Sequence, residues 1–329
     1  MIDFDYSRAT HEANALMEAS QAGTRILAGG TTLLDLMKCG VEAPRRVIDI
    51  ARLPDMAGIE VGVASIRIGA LATMAQCSEH AGLRAAAPAV TQALALAASP
   101  QIRNMATLGG NLLQRTRCSY FRDPQAYSAC NKRKPGSGCA ALAGVNRDHA
   151  ILGTSASCIA AYPGDLAVAL MAFGARLHIA GKVARVADVD GFYRLPRNRP
   201  DLETELAPGE IITAIELPVS AALRRSHYLK VRDRASFQFA AASAAVGLEL
   251  ANDQTVRAVR VALGGVATRP WRAMPVEEAL TGKLFTEANV RAAAERAVDG
   301  ARAHAHNRYK LALTPRVVAR ALMEAGGLA

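Results

Sequence analysis

Four of the chain's six cysteines, Cys118, Cys130, Cys139 and Cys158, lie within 41 positions at the spacing C-x11-C-x8-C-x18-C. Thiolates so placed can do several kinds of chemistry. Four can hold a structural zinc ion, although such sites usually contain a close CxxC-like pair and none occurs here. Disulfides suit small secreted frameworks better than a 329-residue chain with no export signal. A four-iron cluster needs only four thiolates converging from any direction, which long loops can deliver. Four separate buried thiols would do no chemistry at all. Spacing alone leaves these readings open.

Two glycine turns offer a different chemistry. In ILAGGTTLL an apolar run enters Gly29-Gly30 and then Thr31 and Thr32 at a helix start, and ATLGGNLL places Thr107, Gly109, Gly110 and Asn111 in the same kind of turn. Glycine lets backbone approach a ligand closely, and free N–H groups at a helix start attract phosphate. A lone turn of this kind reads first as an ordinary strand-to-helix connection. Two could hold both ends of an extended phosphate-bearing cofactor. Neither GxGxxG nor GxxxxGK[ST] occurs in the right context, which argues against a Rossmann site or a P-loop.

The elements that must position these residues are legible in outline. Residues 10–22 read as an amphipathic helix with Thr10 as N-cap and Ala13, Leu16 and Met17 on one face. TRIL, the segment after Thr31 and RRVIDI give strand, helix and strand, completing a unit over residues 1–55. IRIGA is a strand, and a helical series over residues 71–99 is divided in two at Pro88. Periodicity fails from residue 115 to 158, a loop long enough to need a reason for order. Helix-like DLAVALMAFGA, the strands ARLHIAG, VARVADV and IITAIELP, and a boundary near residue 220 follow. SHYLKVRDR, ASAAVGLEL and TVRAVRVALGGVA are strands, with AND as a turn between two of them, and Ala-rich helices follow at about 275–303 and 314–326. Strands followed by helices predict an α+β domain.

Composition narrows the function class. With 51% hydrophobic residues the chain can bury a sizeable core. The N-terminus lacks the apolar stretch of a secretory signal, and no run of about 18 apolar residues predicts a membrane span. The net charge of +10 is dispersed except around residues 115–134, and aromatics are only 5%, which is thin for base stacking. Nucleic acid is therefore not an expected partner; an acidic protein surface accounts for the charge as well.

In chain order, AGGT, TLGGN, Pro163-x-Asp165, Tyr228-x-Lys230-x-Arg232 and LGGVA resemble the FAD-binding subunit of the xanthine dehydrogenase family of molybdenum hydroxylases. The resemblance implies an α+β chain. Its first domain, residues 1–220, would have the two-subdomain PCMH-type (vanillyl-alcohol-oxidase-like) FAD fold, divided at about residue 55, and residues 221–329 would carry a three-stranded antiparallel sheet with helices. It also implies bound FAD. Ile26, Leu27, Ala28, Gly29, Gly30, Thr31, Thr32 and Leu33 would form the pyrophosphate loop, with Thr107, Gly110 and Asn111 as the second flavin loop. Asp165, the backbone near Ile212, and Lys230 at the isoalloxazine edge complete the set; a cation there favours the anionic reduced flavin. Plainer alternatives are Asp165 as the N-cap of the following helix and Lys230 as a solvated strand residue.

Within the 115–158 insertion, RCSYFRDP, CNKRKPGSGC and NRDHAILGTS resemble the [4Fe-4S] loop of bacterial aldehyde oxidoreductase flavin subunits. This implies that Cys118, Cys130, Cys139 and Cys158 bind one [4Fe-4S] cluster, whose bonds help order the loop, while Cys39 and Cys77 are buried apolar residues. Arg115, Arg117, Arg122, Lys132, Arg133 and Lys134 would balance the cluster's charge or form a solvated basic face. The implied assembly is a heterotrimer. A large molybdopterin subunit oxidises an aldehyde, a small subunit with two [2Fe-2S] clusters relays electrons, and FAD on this chain passes them to an external acceptor. The expected compartment is the periplasm if a signal-bearing partner carries the chain out, and otherwise the cytoplasm. The rivals are a free-standing flavin oxidase, for which no His or carboxylate constellation supplies a base, and a zinc-binding scaffold.

Overall fold

The computed structural model describes residues 1–328. The N-terminal unit contains β1 (Asp5–Arg8), α1 (Glu12–Ala19), β2 (Thr24–Leu27), α2 (Leu33–Lys38) and β3 (Arg46–Asp49). Its three strands form a parallel sheet in the order β1-β3-β2. Parallel neighbours need crossover connections, and α1 and α2 provide them. His11, not Thr10, caps α1, its ring Nδ1 accepting from the Asn14 N–H at 3.2 Å. The buried face is Ala15 and Ala19, whereas Met17 is exposed, so the expected apolar face was misplaced around the helix. Spacing tells which residues share a face, but which face is buried is decided by what the helix packs against.

The next unit has β4 (Ile59–Val61), β5 (Ser65–Gly69), α3 (Met74–Glu79), α4 (Ala81–Ala86), α5 (Pro88–Leu96), α6 (Pro100–Met105) and α7 (Leu108–Leu112). After the cysteine insertion, which contains α8 (Ser119–Arg122), come α9 (Leu166–Ala172), β6 (Arg176–Ala180), β7 (Arg185–Asp188), α10 (Val189–Phe192) and β8 (Ile211–Pro218). The strands form an antiparallel sheet ordered β4-β5-β8-β6-β7. The helical series breaks twice, not once: His80 ends α3 and caps α4 through Nδ1, and Ala87 precedes Pro88 at the first turn of α5. Every residue of α9 is buried, as an all-apolar helix requires.

The C-terminal unit contains α11 (Ala221–Arg224), β9 (Ser226–Val231), β10 (Ala242–Leu250), β11 (Val256–Gly264), β12 (Trp271–Arg272), α12 (Met274–Leu280), α13 (Glu287–Ala294) and α14 (Tyr309–Gly326). The three expected strands pair antiparallel, and the two-residue β12 extends the sheet to β12-β11-β10-β9. The first expected helix is two, separated by Gly282 at φ +78°. α9 packs on one face of β10 and α14 on the other. Ala245 and Ala262 therefore join the core of the preceding unit, while Ala244, Val246 and Leu248 join a core with α14.

Glu277 on α12 is 5% exposed, pairs with Arg272 of β12 at 2.7 Å and accepts the Val261 N–H at 2.8 Å. Glu277→Ala leaves that N–H and the guanidinium without an acceptor and is expected to cost about 3 kcal/mol. The denaturant midpoint of the purified protein measures it; an unchanged midpoint would contradict this account of the sheet edge.

Candidate functional site

The first glycine turn leaves β2 at Leu27 and reaches α2 at Leu33, and all of Ile26, Leu27, Ala28, Gly29, Gly30, Thr31, Thr32 and Leu33 are half-exposed. None of the N–H groups from Ala28 to Leu33 has a hydrogen-bond acceptor among the described residues. Gly30 sits at φ +72°, a conformation that side chains resist. A Cβ on Gly29 would lie 1.9 Å from the carbonyl oxygen of Met105. Backbone thus lies directly on backbone, and the first turn abuts the residue just ahead of the second. A row of unpaired N–H groups held open to solvent is a seat for a phosphate-sized anion.

The second turn is fastened from behind. Leu108 and Gly109 donate to the carbonyls of Ala72 and Ala70 at 2.9 and 2.8 Å, and Thr107 Oγ1 accepts from the Gly110 N–H at 3.3 Å. Ala70 in turn donates to Thr213 O at 2.9 Å, which brings the backbone beside Ile212 within one residue of this chain of bonds. The Ile212 side chain itself lies in the core opposite Ile179. Asn111 Nδ2 points at Met74 Sδ (3.5 Å), while its Oδ1 is shielded from solvent with no partner. An orphaned acceptor of this kind calls for a ligand donor.

Asp165 stands at the N-cap position of α9 but makes no capping bond. Its carboxylate instead accepts from Tyr228 Oη at 2.6 Å and Lys230 Nζ at 2.7 Å, and Nζ also donates to Leu96 O at 3.2 Å. Asp165 is 5% exposed, as is its side chain, and the Lys230 side chain only 1%, so Lys230 is not a solvated strand residue. Its charge is balanced on the spot; the pair projects the field of a dipole, weaker with distance than that of a free cation. Burial, together with Asp165, pushes the Tyr228 hydroxyl well above its ordinary range. The Pro163-Gly164-Asp165 turn is contiguous with the second glycine turn: a Cβ on Gly164 would meet the Tyr162 ring at 2.6 Å and Gln114 Nε2 at 2.8 Å, and Tyr162 Oη donates to Leu112 O.

Cys118, Cys130, Cys139 and Cys158 all line one narrow cavity. Cys130 and Cys139 face each other across an isolated antiparallel bridge, flanked by Asn131 N–H to Gly138 O at 2.7 Å and Ala140 N–H to Ala129 O at 3.1 Å. Burial pushes the Cys118 thiol up to about 12, with Cys158 and Cys130 adding to the rise. Burial raises Cys158 as well, against the pull of Lys132. Among the described residues no three His, Cys, Asp or Glu side chains gather where a single metal ion could sit. The sulfurs form the wall of a cavity, not a shell about a point. Cys77 is buried as expected, with its thiol raised to about 12 by burial, whereas Cys39 is the half-buried C-cap of α2.

Most basic residues of the insertion are engaged in ion pairs or hydrogen bonds within the chain; Lys134 is exposed, and Lys132 lines the cysteine cavity. Arg117 and Arg122 both pair with Asp35 on α2, Arg115 bridges Glu42 at 2.8 Å and Glu203 at 2.9 Å, and Lys132 reaches Glu203 at 3.2 Å. Arg133 donates to the carbonyls of Tyr120, Phe121 and Tyr127. Arg115, Arg117, Arg122 and Lys132 fasten the insertion to the N-terminal unit and to the segment before β8, while Arg133 ties it to itself. Two residues carry more than the sequence suggested. His149 places Nε2 3.2 Å from Cys118 Sγ, a role for which the only sequence signal was a histidine inside the insertion. Glu203, remote in sequence, had none.

Comparison with known proteins gives concordant matches. The family model described as FAD binding domain in molybdopterin dehydrogenase matches residues 3–220, and that of the CO dehydrogenase flavoprotein C-terminal domain matches residues 227–325. The aldehyde oxidoreductase FAD-binding subunit PaoB of Escherichia coli (strain K12) is 42% identical over 332 residues, covering 98% of each chain. Carbon monoxide dehydrogenase from Hydrogenophaga pseudoflava, solved without the Mo-pyranopterin moiety of its cofactor, superposes with TM-score 0.76 at 26% identity over 99% of each chain. Quinoline 2-oxidoreductase from Pseudomonas putida 86 shares the fold at TM-score 0.76 and 22% identity, covering 99% of this chain and 98% of its own.

Gly29→Ala should force the two turns apart and weaken FAD retention by on the order of tenfold or more, the equivalent of about 1.4 kcal/mol. Gly58→Ala, where a Cβ meets nothing within 4 Å, is the control; equal flavin-to-protein ratios in both variants would refute the role of the close approach. A second expectation concerns pH. Burial works to raise the Glu203 carboxyl, but Lys132 and Arg115 outweigh it and hold it below the usual range. A depressed carboxylate contributes its stabilisation above its unfolded value, about 4.3, and loses it as pH falls through the lower folded value. Hydrogen-exchange protection of residues 115–134 should therefore drop on acidification below about pH 4, and Glu203→Gln should already show the lowered protection at neutral pH.

Proposed function

Since this chain belongs to the FAD-binding subunits of the molybdenum hydroxylase family, we propose that it is the electron-transferring flavin and [4Fe-4S] subunit of a heterotrimeric aldehyde oxidoreductase. The observation that carries the reading is the meeting of two glycine turns at Gly29 and Met105, one with a row of free N–H groups and the other with an orphaned Asn111 oxygen. These features fit FAD. Ala28 to Leu33 would hold the pyrophosphate through their N–H groups, and Thr107, Gly110 and Asn111 the adjoining part of the nucleotide. The Asp165, Lys230 and Tyr228 cluster and the backbone at Ile212 fix the surrounding walls. Bound FAD supplies the redox chemistry, taking electrons from a [2Fe-2S] partner and releasing them to an external acceptor.

Four thiols around one cavity fit a cluster in which each sulfur binds a different iron. Cys118, Cys130, Cys139 and Cys158 would hold it as thiolates. Burial disfavours the thiolates of Cys118 and Cys158, so iron would draw those protons off and loading would be coupled to proton release. The close E. coli relative named as an aldehyde oxidoreductase subunit supports an aldehyde-oxidising assembly, with a large molybdopterin subunit and a small [2Fe-2S] subunit as partners. Among the described residues no helix is long and apolar enough to cross a membrane; export would depend on a signal-bearing partner, with the cytoplasm as the alternative compartment.

Oxygen-free purification of the complex, followed by iron, sulfide, zinc and flavin analysis, tests the reading. The expected result is one FAD and four irons on this chain. Cys130→Ser should lose most of that iron and part of the FAD, while stoichiometric zinc without iron would sink the cluster assignment. Turnover of aldehydes by the isolated chain would instead identify a free-standing oxidase.

A further inference from the structure

His149 is 6% exposed, and its ring has one polar contact, Nε2 to Cys118 Sγ at 3.2 Å; Nδ1 is buried without a partner. The backbone on either side is held by two fully buried asparagines. His149 N–H donates to Asn146 O at 3.1 Å, and Asn307 Nδ2 donates to His149 O and Ala150 O at 3.2 and 3.1 Å. Asn146 Oδ1 accepts the His306 N–H at 3.0 Å, and Asn307 Oδ1 accepts the His304 N–H at 2.6 Å. The loop ahead of α14 therefore fixes the imidazole against the sulfur.

A neutral imidazole carries one N–H. Placing it on Nδ1 would bury an unpaired donor and turn the Nε2 lone pair toward an electron-rich sulfur. Placing it on Nε2 satisfies the one contact available. We propose that His149 donates its Nε2–H to the Cys118 thiolate and thereby raises the reduction potential of the cluster, an assignment that rests on the [4Fe-4S] reading above. The physical reason is charge: a donor at the sulfur stabilises the more negative, reduced state more than the oxidised one. His149 is in this sense a positioning and tuning residue; it binds no iron.

Redox-poised EPR of the assembled complex tests the proposal. His149→Leu should retain its iron yet shift the cluster midpoint in the negative direction, by about a tenfold change in the reduced-to-oxidised ratio at fixed poise, or about 59 mV for one electron. His149→Gln, whose amide N–H can reach the same sulfur, should recover most of the shift. An iron-complete leucine variant with an unchanged midpoint overturns the proposal. If the leucine variant loses its iron, the unmodified complex decides: hyperfine coupling to an imidazole nitrogen and to a proton exchangeable in heavy water supports the bond, and absence of both overturns it. Iron missing from the unmodified complex would instead remove the cluster reading itself, so the two failures are distinguishable.

Discussion

The site is built on a contact between two stretches of backbone that tolerates no side chain. Gly29 lies so close to the Met105 carbonyl that even a methyl group has no room, and this fixes the distance between the first turn and the helix start that follows Ala106. The second turn is tied to Ala70 and Ala72, and through Thr213 to the central strand β8 of the five-stranded sheet. The position of the free N–H groups is thus inherited from two sheets at once. Loops are mobile by default, and a nucleotide seat made of loop backbone gains precision only when rigid elements press it from both sides.

Charge does a parallel job for the cysteine insertion. The segment contains one short helix and has a small apolar core of its own around Tyr120, Ala141 and Ile159. Arg115, Arg117, Arg122 and Lys132 reach outward to Asp35, Glu42 and Glu203 in the FAD-binding fold. Half-buried pairs with several partners hold geometry better than isolated surface pairs. In this stretch, then, most of the basic side chains serve as internal fasteners. Ion pairs thus supply part of the order that the loop's composition does not.

Strand and helix order was largely legible, because apolar runs broken by glycine and proline carry a direct local signal. The cysteines could be grouped from sequence, and the two turns paired, but not the contact that joins them: the acceptor of Gly29's close approach is Met105, an unremarkable helix end. Local patterns misled where tertiary partners decide. Asp165 looked like a helix cap, yet its carboxylate turns to Tyr228 and Lys230, more than sixty residues away. The short helices between residues 74 and 96 divide at His80 because a histidine nitrogen serves as a cap, a role that propensity alone does not favour.

The clasp around Asn146 and His149 comes from residues 304–307, close to the end of the chain. During synthesis the four thiols leave the ribosome long before the segment that clasps Asn146 and His149 exists. The histidine beside Cys118 consequently gains its backbone clasp only once nearly the whole chain has been made, so this contact is among the last features of the insertion to be fixed.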